Sequence, residues 1–580
     1  MAWFKGTATD YQDMLDQLSN LVQDDHISAV TVYDGGTDYA LGDTITLASG
    51  TKYHEPELEV ISISSGDIVT VAAVNAGGSG YSVGDKIYPD SGTYSVTPEL
   101  EVTSESSGVV TGLQVNNPGI CSATPSNPVA TTTDGSGTSL TVDLTFSSET
   151  GIITGVHISD SGVYTSQASN PVSQNTSSGS GTGAKFTVTY TDTAWEVLVD
   201  YEEQEATAAV ISAAGTGYTE NDIVTVVGGT YTDPCTVRID TVSAGVPTAV
   251  TIITAGEYST TPSNAAATSG GTGSGLTLTM AWDDDTYETK YLMIHNTTSD
   301  QYLGWRGFKV TSPDDAYLYE LCGFTGFNSL STPWDEQPGS SSPKACYVPL
   351  SGGTVPASIS YWISVQDTRI VGAFKVGSVY PNMYLGELDA YLTDSEYAYS
   401  QLLVGNLVSG YPYDYSGVDY AGMDHPGASS SNVGPGHLRS PDGSWKIIQN
   451  WYLSSGIPTT FNLAGKIQPG AGCDYSAQAA PNNWYGNDNQ TWASIFTDDV
   501  TISSNQDALK GPNGEFTLIP CTVINYYDSK MYGNMRGVFK FNPAGIVTSE
   551  SRIIIGTTRY RAFSNCNKTN RNYFFAIKEE

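Results

Sequence analysis

The segment Gly80-Tyr81-Ser82-Val83-Gly84 has the spacing of a nucleophile elbow, a sharp turn between strand and helix that exposes a serine. Its context favours a plain turn: sister segments carry Ala40 and Thr219 where Ser82 stands, and no helical pattern follows. His54-Glu55-Pro56-Glu57 offers metal-type side chains, but Pro56 bars the helical spacing of a zinc protease, so a solvated strand end is the better reading. His425 and His437, with Asp424, would bind a metal only if the loop they bracket folded back, and loop histidines are more often simply exposed. Asp283-Asp284-Asp285 lacks the glycine and bidentate glutamate of a calcium loop and reads as a charged linker.

The carboxylates Glu387, Asp389, Asp394 and Glu396 lie among aromatics, and two acids flanking a sugar are what glycoside hydrolysis requires. Period-two geometry puts Glu387 and Asp389 on one face of a strand, about 7 Å apart at Cα. Acids on a solvent face explain them equally well. The 37 tyrosines give broad contact area with a polar tip, suited to interfaces or to sugar-binding surfaces. None of these groups is assigned a catalytic, cofactor or metal role.

Residues 29–282 hold a repeat that must position whatever the chain does. Three segments share Tyr-x-x-Gly/Asn-Asp: Tyr39 to Asp43, Tyr81 to Asp85 and Tyr218 to Asp222. Ile follows one residue after Asp in the first two and directly in the third, which reads as a one-residue slip. A second unit type contains Pro125-Ser126-Asn127-Pro128, Ser169-Asn170-Pro171 and Pro262-Ser263-Asn264. Each is followed by Gly, Ser and Thr, then by a strand (140–146, 185–190, 276–280). A period of about 40 residues predicts stacked or radially arranged units.

The rest of the chain fits a mostly β protein. Hydrophobic residues make up 39% and charged residues 15%, as in globular rather than disordered chains. A formal net charge of −37 disfavours nucleic acid, which is bound through Lys and Arg, and selects cationic partners. Up to residue 290 the only cations are Lys5, Lys52, Lys86, Lys185, Arg238 and Lys290. No secretory signal or membrane-crossing run is expected. Seven scattered cysteines without C-x-x-C spacing favour free thiols, although Cys322 and Cys346 could meet on folding.

Tyr11, Met14, Leu15, Leu18, Leu21 and Val22 recur at helical spacing after a Thr9-Asp10 cap, predicting one short N-terminal helix that either caps the first repeat or docks into a neighbour. The expected organisation is a helical segment 1–26, a first β-repeat block 27–192, an acidic crossover 193–206, a second block 207–283, and a larger β-sandwich-like domain 284–580. Within that last domain, 409–444 reads as a long surface loop.

The run from Ile359 through Val376, continuing through Val379-Tyr380-Pro381-Asn382-Met383-Tyr384-Leu385-Gly386 to Tyr399, resembles structural proteins of tailed-bacteriophage virions. So do Met535 to Phe539, Tyr560 to Phe563 and Tyr573 to Ile577, and the Gly-Tyr-x-x-Gly-Asp repeats are similar to modules of phage tail and fibre proteins. The resemblance implies a non-enzymatic part of a tail, baseplate or collar, assembled in the host cytoplasm as a homo-oligomer and docked on other virion proteins. A receptor-binding fibre recognising a host surface glycan is the alternative, and a polysaccharide depolymerase using a pair such as Glu387 and Glu396 ranks third.

Overall fold

The computed structural model describes residues 2–23, 25–284, 289–310, 316–341, 346–349, 358–377, 380–393, 396–405, 436–439, 443–448, 493–494, 518–525, 530–541, 547–564 and 574–579. The fold is mostly β, built from antiparallel sheets. Two compact units divide the chain: Ala2–Phe4 with Asp24–Asp192, and Lys5–Gln23 with Thr193–Glu580.

A short strand β1 (Ala2–Ala8) precedes the helix α1 (Tyr11–Gln23). Asp10 caps the helix, its Oδ1 accepting the Asp13 N–H at 2.8 Å, while Asp13 Oδ2 accepts the Thr9 N–H in return. All six apolar residues expected on one face are buried. The helix packs within the unit of 193–580 rather than on the first repeat, Tyr11 stacking on Tyr317 at 4.4 Å and Tyr319 Oη donating to the Tyr11 carbonyl.

The unit of 24–192 contains two modules, one nested in the other. Its strands are β2 (His26–Asp34), β3 (Thr44–Leu47), β4 (Thr51–His54), β5 (Glu57–Ser79), β6 (Lys86–Pro89), β7 (Thr93–Val96), β8 (Glu99–Ser106), β9 (Val109–Asn117), β10 (Ile120–Ala123), β11 (Val129–Thr133), β12 (Thr138–Asp160), β13 (Val163–Ser166), β14 (Val172–Ser177) and β15 (Lys185–Thr191). The outer module pairs β2 with β15, β15 with β14, β14 with β3, β3 with the first part of β5, and that part with the end of β12. The inner module repeats this order with the rest of β5, the start of β12, β11, β6, β8 and β9. The strand β5 therefore runs unbroken for 23 residues and is shared by both modules. Each module closes on its own core, Tyr39, Ile45, Leu58, Val60 and Phe186 in the outer one and Tyr81, Ile87, Leu100, Val102 and Val142 in the inner one.

In the other unit, β16 (Trp195–Glu202) opens a sheet, and a third module follows: β17 (Gln204–Thr216), β18 (Ile223–Val226), β19 (Thr230–Asp233), β20 (Thr236–Ser243), β21 (Val246–Thr254), β22 (Glu257–Thr260), β23 (Ala266–Gly270) and β24 (Ser274–Asp284). Its pairing order β17-β24-β23-β18-β20-β21 matches the other two. The sheet resumes with β25 (Lys290–Asn296), which pairs β16 from Trp195 opposite Asn296 to Glu202 opposite Lys290. The third module is thus an insertion between two partnered strands. The segment expected as an acidic crossover, 193–206, is mostly the strand β16: Trp195 and Val199 point inward while Glu196 and Asp200 face solvent. Its partner lies beyond the inserted module, so the local rhythm read as an interruption.

The repeats are consequently not tandem units of 40 residues. Each Tyr-x-x-Gly/Asn-Asp segment and each Asn-Pro-type segment are two halves of one eight-stranded module.

The sheet of β16 and β25 continues through β26 (Gln301–Val310), β27 (Ala316–Phe324) and β28 (Cys346–Pro349). A second sheet contains β29 (Ile359–Gln366), β30 (Arg369–Lys375), β31 (Asn382–Ala390), β32 (Gln401–Val404), β33 (Gly436–Arg439), β34 (Trp445–Ile448), β35 (Ala493–Ser494), β36 (Ile519–Asn525), β37 (Lys530–Phe541), β38 (Arg552–Ile555), β39 (Thr558–Ser564) and β40 (Phe574–Lys578), with β1 at its edge. The two sheets pack face to face: Trp305 Nε1 donates to Met383 Sδ, and Tyr319 meets Phe374 edge-on at 6.3 Å. The end of the expected loop 409–444 is strand β33, whose His437, Leu438 and Arg439 are buried; the Gly- and Ser-rich flanks masked so short a strand. Residues 409–435 lie outside the described residues.

Candidate functional site

The motif residues of the three modules form the same clasp. Each turn has a positive φ at its third residue, +87° at Gly42, +95° at Gly84 and +69° at Asn221, which is why Gly or Asn stands there. The Asp carboxylate closes the turn, accepting the N–H of Ala40, Ser82 or Thr219 at 2.9 Å. A Gly-Ser/Thr-Gly segment from the other half of the module lies against it. A Cβ at Gly137, Gly181 or Gly273 would fall 2.1–2.4 Å from the ring of Tyr81, Tyr39 or Tyr218, so only glycine lets the backbone rest on the aromatic face. The hydroxyl between the glycines donates to the carbonyl of the residue before the tyrosine: Ser136 to Gly80, Ser180 to Asp38 and Thr272 to Gly217, each at 3.1 Å.

Asn of the second motif pins the next strand. Asn127 exchanges two hydrogen bonds with the Leu144 backbone, Asn170 does the same with Val188, and Asn264 accepts from Met280. The tyrosine N–H bonds a glycine carbonyl at 3.0 Å in every module, Gly108, Gly151 or Gly245. Gly108 and Gly245 sit in short hairpin turns, whereas at Gly151 the hairpin has been opened to admit the inner module. There is no slip in the third copy: Val224, not Ile223, takes the core place of Ile45 and Ile87, and Ile223 is exposed.

At Asp222 this closure carries charge. Hydrogen bonds from the Thr219 N–H, then from the Thr272 hydroxyl and N–H, hold its carboxyl well below the usual range.

The other sequence candidates separate. Ser82 is exposed in its turn and serves through its backbone. His54 is not a solvated strand end: Nε2 lies 2.9 Å from Oδ2 of the buried Asp160, whose Oδ1 accepts the Gly162 N–H. The Phe4 ring meets His54 and His26 edge-on, and Trp3 exchanges hydrogen bonds with Ser161 beside them. Sequence spacing could not bring His26, His54 and Asp160 together, since β2, β4 and β12 are distant in the chain. Glu57 Oε1 accepts from Ser159 Oγ. Asp283 and Asp284 are not a linker; they end β24 opposite Glu205 and Gln204. Asp285, Asp394, Asp424 and His425 lie outside the described residues.

Asp389 pairs with Arg536, Nε to Oδ1 at 2.6 Å, and Arg536 also donates to Thr368 Oγ1. Glu396 caps a turn by accepting from the Thr393 hydroxyl at 3.0 Å. Cys121 and Cys235 are buried free thiols; buried Cys322 accepts from Trp334 Nε1 at 3.2 Å, and Cys346 sits opposite Leu321, one place from Cys322. Among the described residues no group of His, Cys, Asp and Glu is arranged to hold a metal ion, and no helix is long and apolar enough to cross a membrane.

A pocket absent from any sequence reading opens where the inner module joins the outer one. It holds about 450 Å³ counting its mouth, between Tyr33 to Gly36, Ile68, Val96, Asn117 to Ile120 and Ile152 to Thr154. Two bonds brace the junction, Tyr33 Oη to Glu99 Oε1 and Asn117 Nδ2 to the Tyr33 carbonyl. Burial, with Glu99 next, pushes the Tyr33 phenol up to about 12. Burial also raises the Asp34 carboxyl, against the Gly36 N–H and Lys185.

Compared with known protein families and with curated proteins, the chain matches none.

Proposed function

We propose that this chain is a structural component of a tailed-phage virion, in the tail, baseplate or collar, acting through homo-oligomeric assembly and docking on other virion proteins. One observation carries the reading: in all three modules the motif residues are spent inside the module, the Gly-Ser/Thr-Gly backbone of one half resting on the Tyr ring of the other, the Asp closing its own turn and the Asn pinning the next strand. A fold whose recurrent residues are committed to internal closure suits repeated insertion into a scaffold that must persist outside a cell. The buried ion pairs of the β16–β40 domain fit the same demand, and the acidic charge keeps subunits soluble before assembly.

The test is to express the chain, measure its mass in solution, and look for it in purified particles by mass spectrometry and micrographs. A stable oligomer that co-purifies with particles is expected. A monomer absent from particles would remove the proposal.

A further inference from the structure

The nested junction offers something that neither module has alone. The pocket there is walled by Val32, Ile68, Ile120 and Ile152, with Asp34 and Asn117 supplying the polar groups. Asp34 Oδ1 already accepts the Gly36 N–H at 3.1 Å, and Asn117 is occupied at both ends by the Tyr33 carbonyl and the Gly119 N–H. No Lys or Arg is among the residues that line the pocket. Lys185 stands directly across the β2–β15 ladder from Asp34, and its charge acts on the Asp34 carboxyl less than burial and the Gly36 N–H do. In the third module the corresponding hairpin closes at Ala244-Gly245 with nothing inserted.

We propose that this pocket receives a lysine or arginine side chain from a partner protein, the aliphatic stem against the isoleucines and valine and the charged head on Asp34. A carboxylate among apolar walls matches a long cationic side chain, whose methylenes favour apolar contact while the head keeps an ionic partner. The net charge of −37 draws cationic segments toward the surface. This deepens the docking reading and rests on it, naming one contact by which a virion partner would engage.

The full chain is titrated with N-acetyl-lysine methylamide and with its uncharged analogue N-acetyl-norleucine methylamide, following the amide signals of Gly35, Gly36 and Gly119. Saturable shifts with the lysine probe alone are expected. Asp34→Asn should weaken that binding about tenfold, the loss of roughly one charge-assisted bond, and Lys185→Gln should strengthen it by removing the competing charge. Equal response to both probes, or no difference between the wild type and Asp34→Asn, overturns the proposal. If Asp34→Asn fails to fold, the probe pair and Lys185→Gln still decide. The probe needs no particle, so a chain that binds lysine yet is missing from virions sinks the docking reading alone.

Discussion

The three modules and the domain that carries them stabilise themselves in opposite ways. In the modules, the motif carboxylates Asp43, Asp85 and Asp222 sit at the surface and bond to backbone, and the cores are small and apolar, buried Asp160 beside His54 being the exception. In the domain of β25–β40, charges go inside. Glu579 is fully buried between Arg552 at 2.9 Å and Arg561 at 2.6 Å, Glu320 is fully buried against Arg306, and burial draws the enclosed Arg369 guanidinium down to about 10. A surface clasp closed by backbone is self-sufficient, so the module can be set into a hairpin or between paired strands wherever its ends meet. A buried ion pair is unforgiving, because either partner left alone is an uncompensated charge.

The difference breaks first at Glu579. Glu579→Ala removes the buried carboxylate that Arg552 and Arg561 share and should cost about 3–5 kcal/mol. Hydrogen exchange of the β38–β40 amides would read the loss locally, with module amides such as Val60 and Ile239 keeping their protection. Loss of protection spread equally over the modules would mean that the two regions do not hold themselves separately.

Next come the clasp glycines. Gly181→Ala, Gly137→Ala and Gly273→Ala each drive a Cβ into a tyrosine ring, and overpacking of this kind costs about 1–3 kcal/mol. Similar losses in all three, measured by denaturant unfolding, would sharpen the equivalence of the modules. A neutral Gly181→Ala would show that the outer module, split by its insertion, has slackened its clasp.

The third effect depends on pH. The Asp222 carboxyl is depressed in the folded chain by the bonds from Thr219 and Thr272, so its contribution is complete above the unfolded carboxylate value of about 4 and disappears as pH falls through the lower folded one. Asp222→Asn should therefore melt below the wild type at pH 7, and the gap should narrow as pH drops below about 4. A gap independent of pH would assign the clasp to shape rather than to charge.

How far the sequence led follows from range. The helix of 11–23 and the strands at 44–47, 140–146 and 185–190 lie on local patterns, and those patterns suffice where neighbours in the chain are neighbours in space. Topology was hidden because insertion separates partners: Trp195 pairs opposite Asn296, and Glu57 opposite Asp160. The recurrence of Gly50-Thr51, Gly92-Thr93 and Gly229-Thr230, seven places after each motif Asp, was available and would have shown that each module has further equivalent strands. Nothing in composition could place Asp34 in a pocket, since its walls come from β5, β10 and β12.

The smallest expected effect falls on the residue that first suggested chemistry. Ser82 contributes a backbone N–H to Asp85 at 2.9 Å, a bond that any side chain at that place preserves, as Ala40 and Thr219 do in the sister turns. Its hydroxyl faces solvent at the start of a turn with φ of +95° at Gly84, and a β-strand rather than a helix follows, so the elbow's geometry is missing. Ser82→Ala should change stability by less than about 0.5 kcal/mol, the range of an ordinary surface substitution, and should leave oligomeric state untouched. Labelling with a fluorophosphonate tests the alternative directly: covalent modification of Ser82 at a rate above that of free serine would restore a nucleophile at this turn and set the inner module apart from the other two.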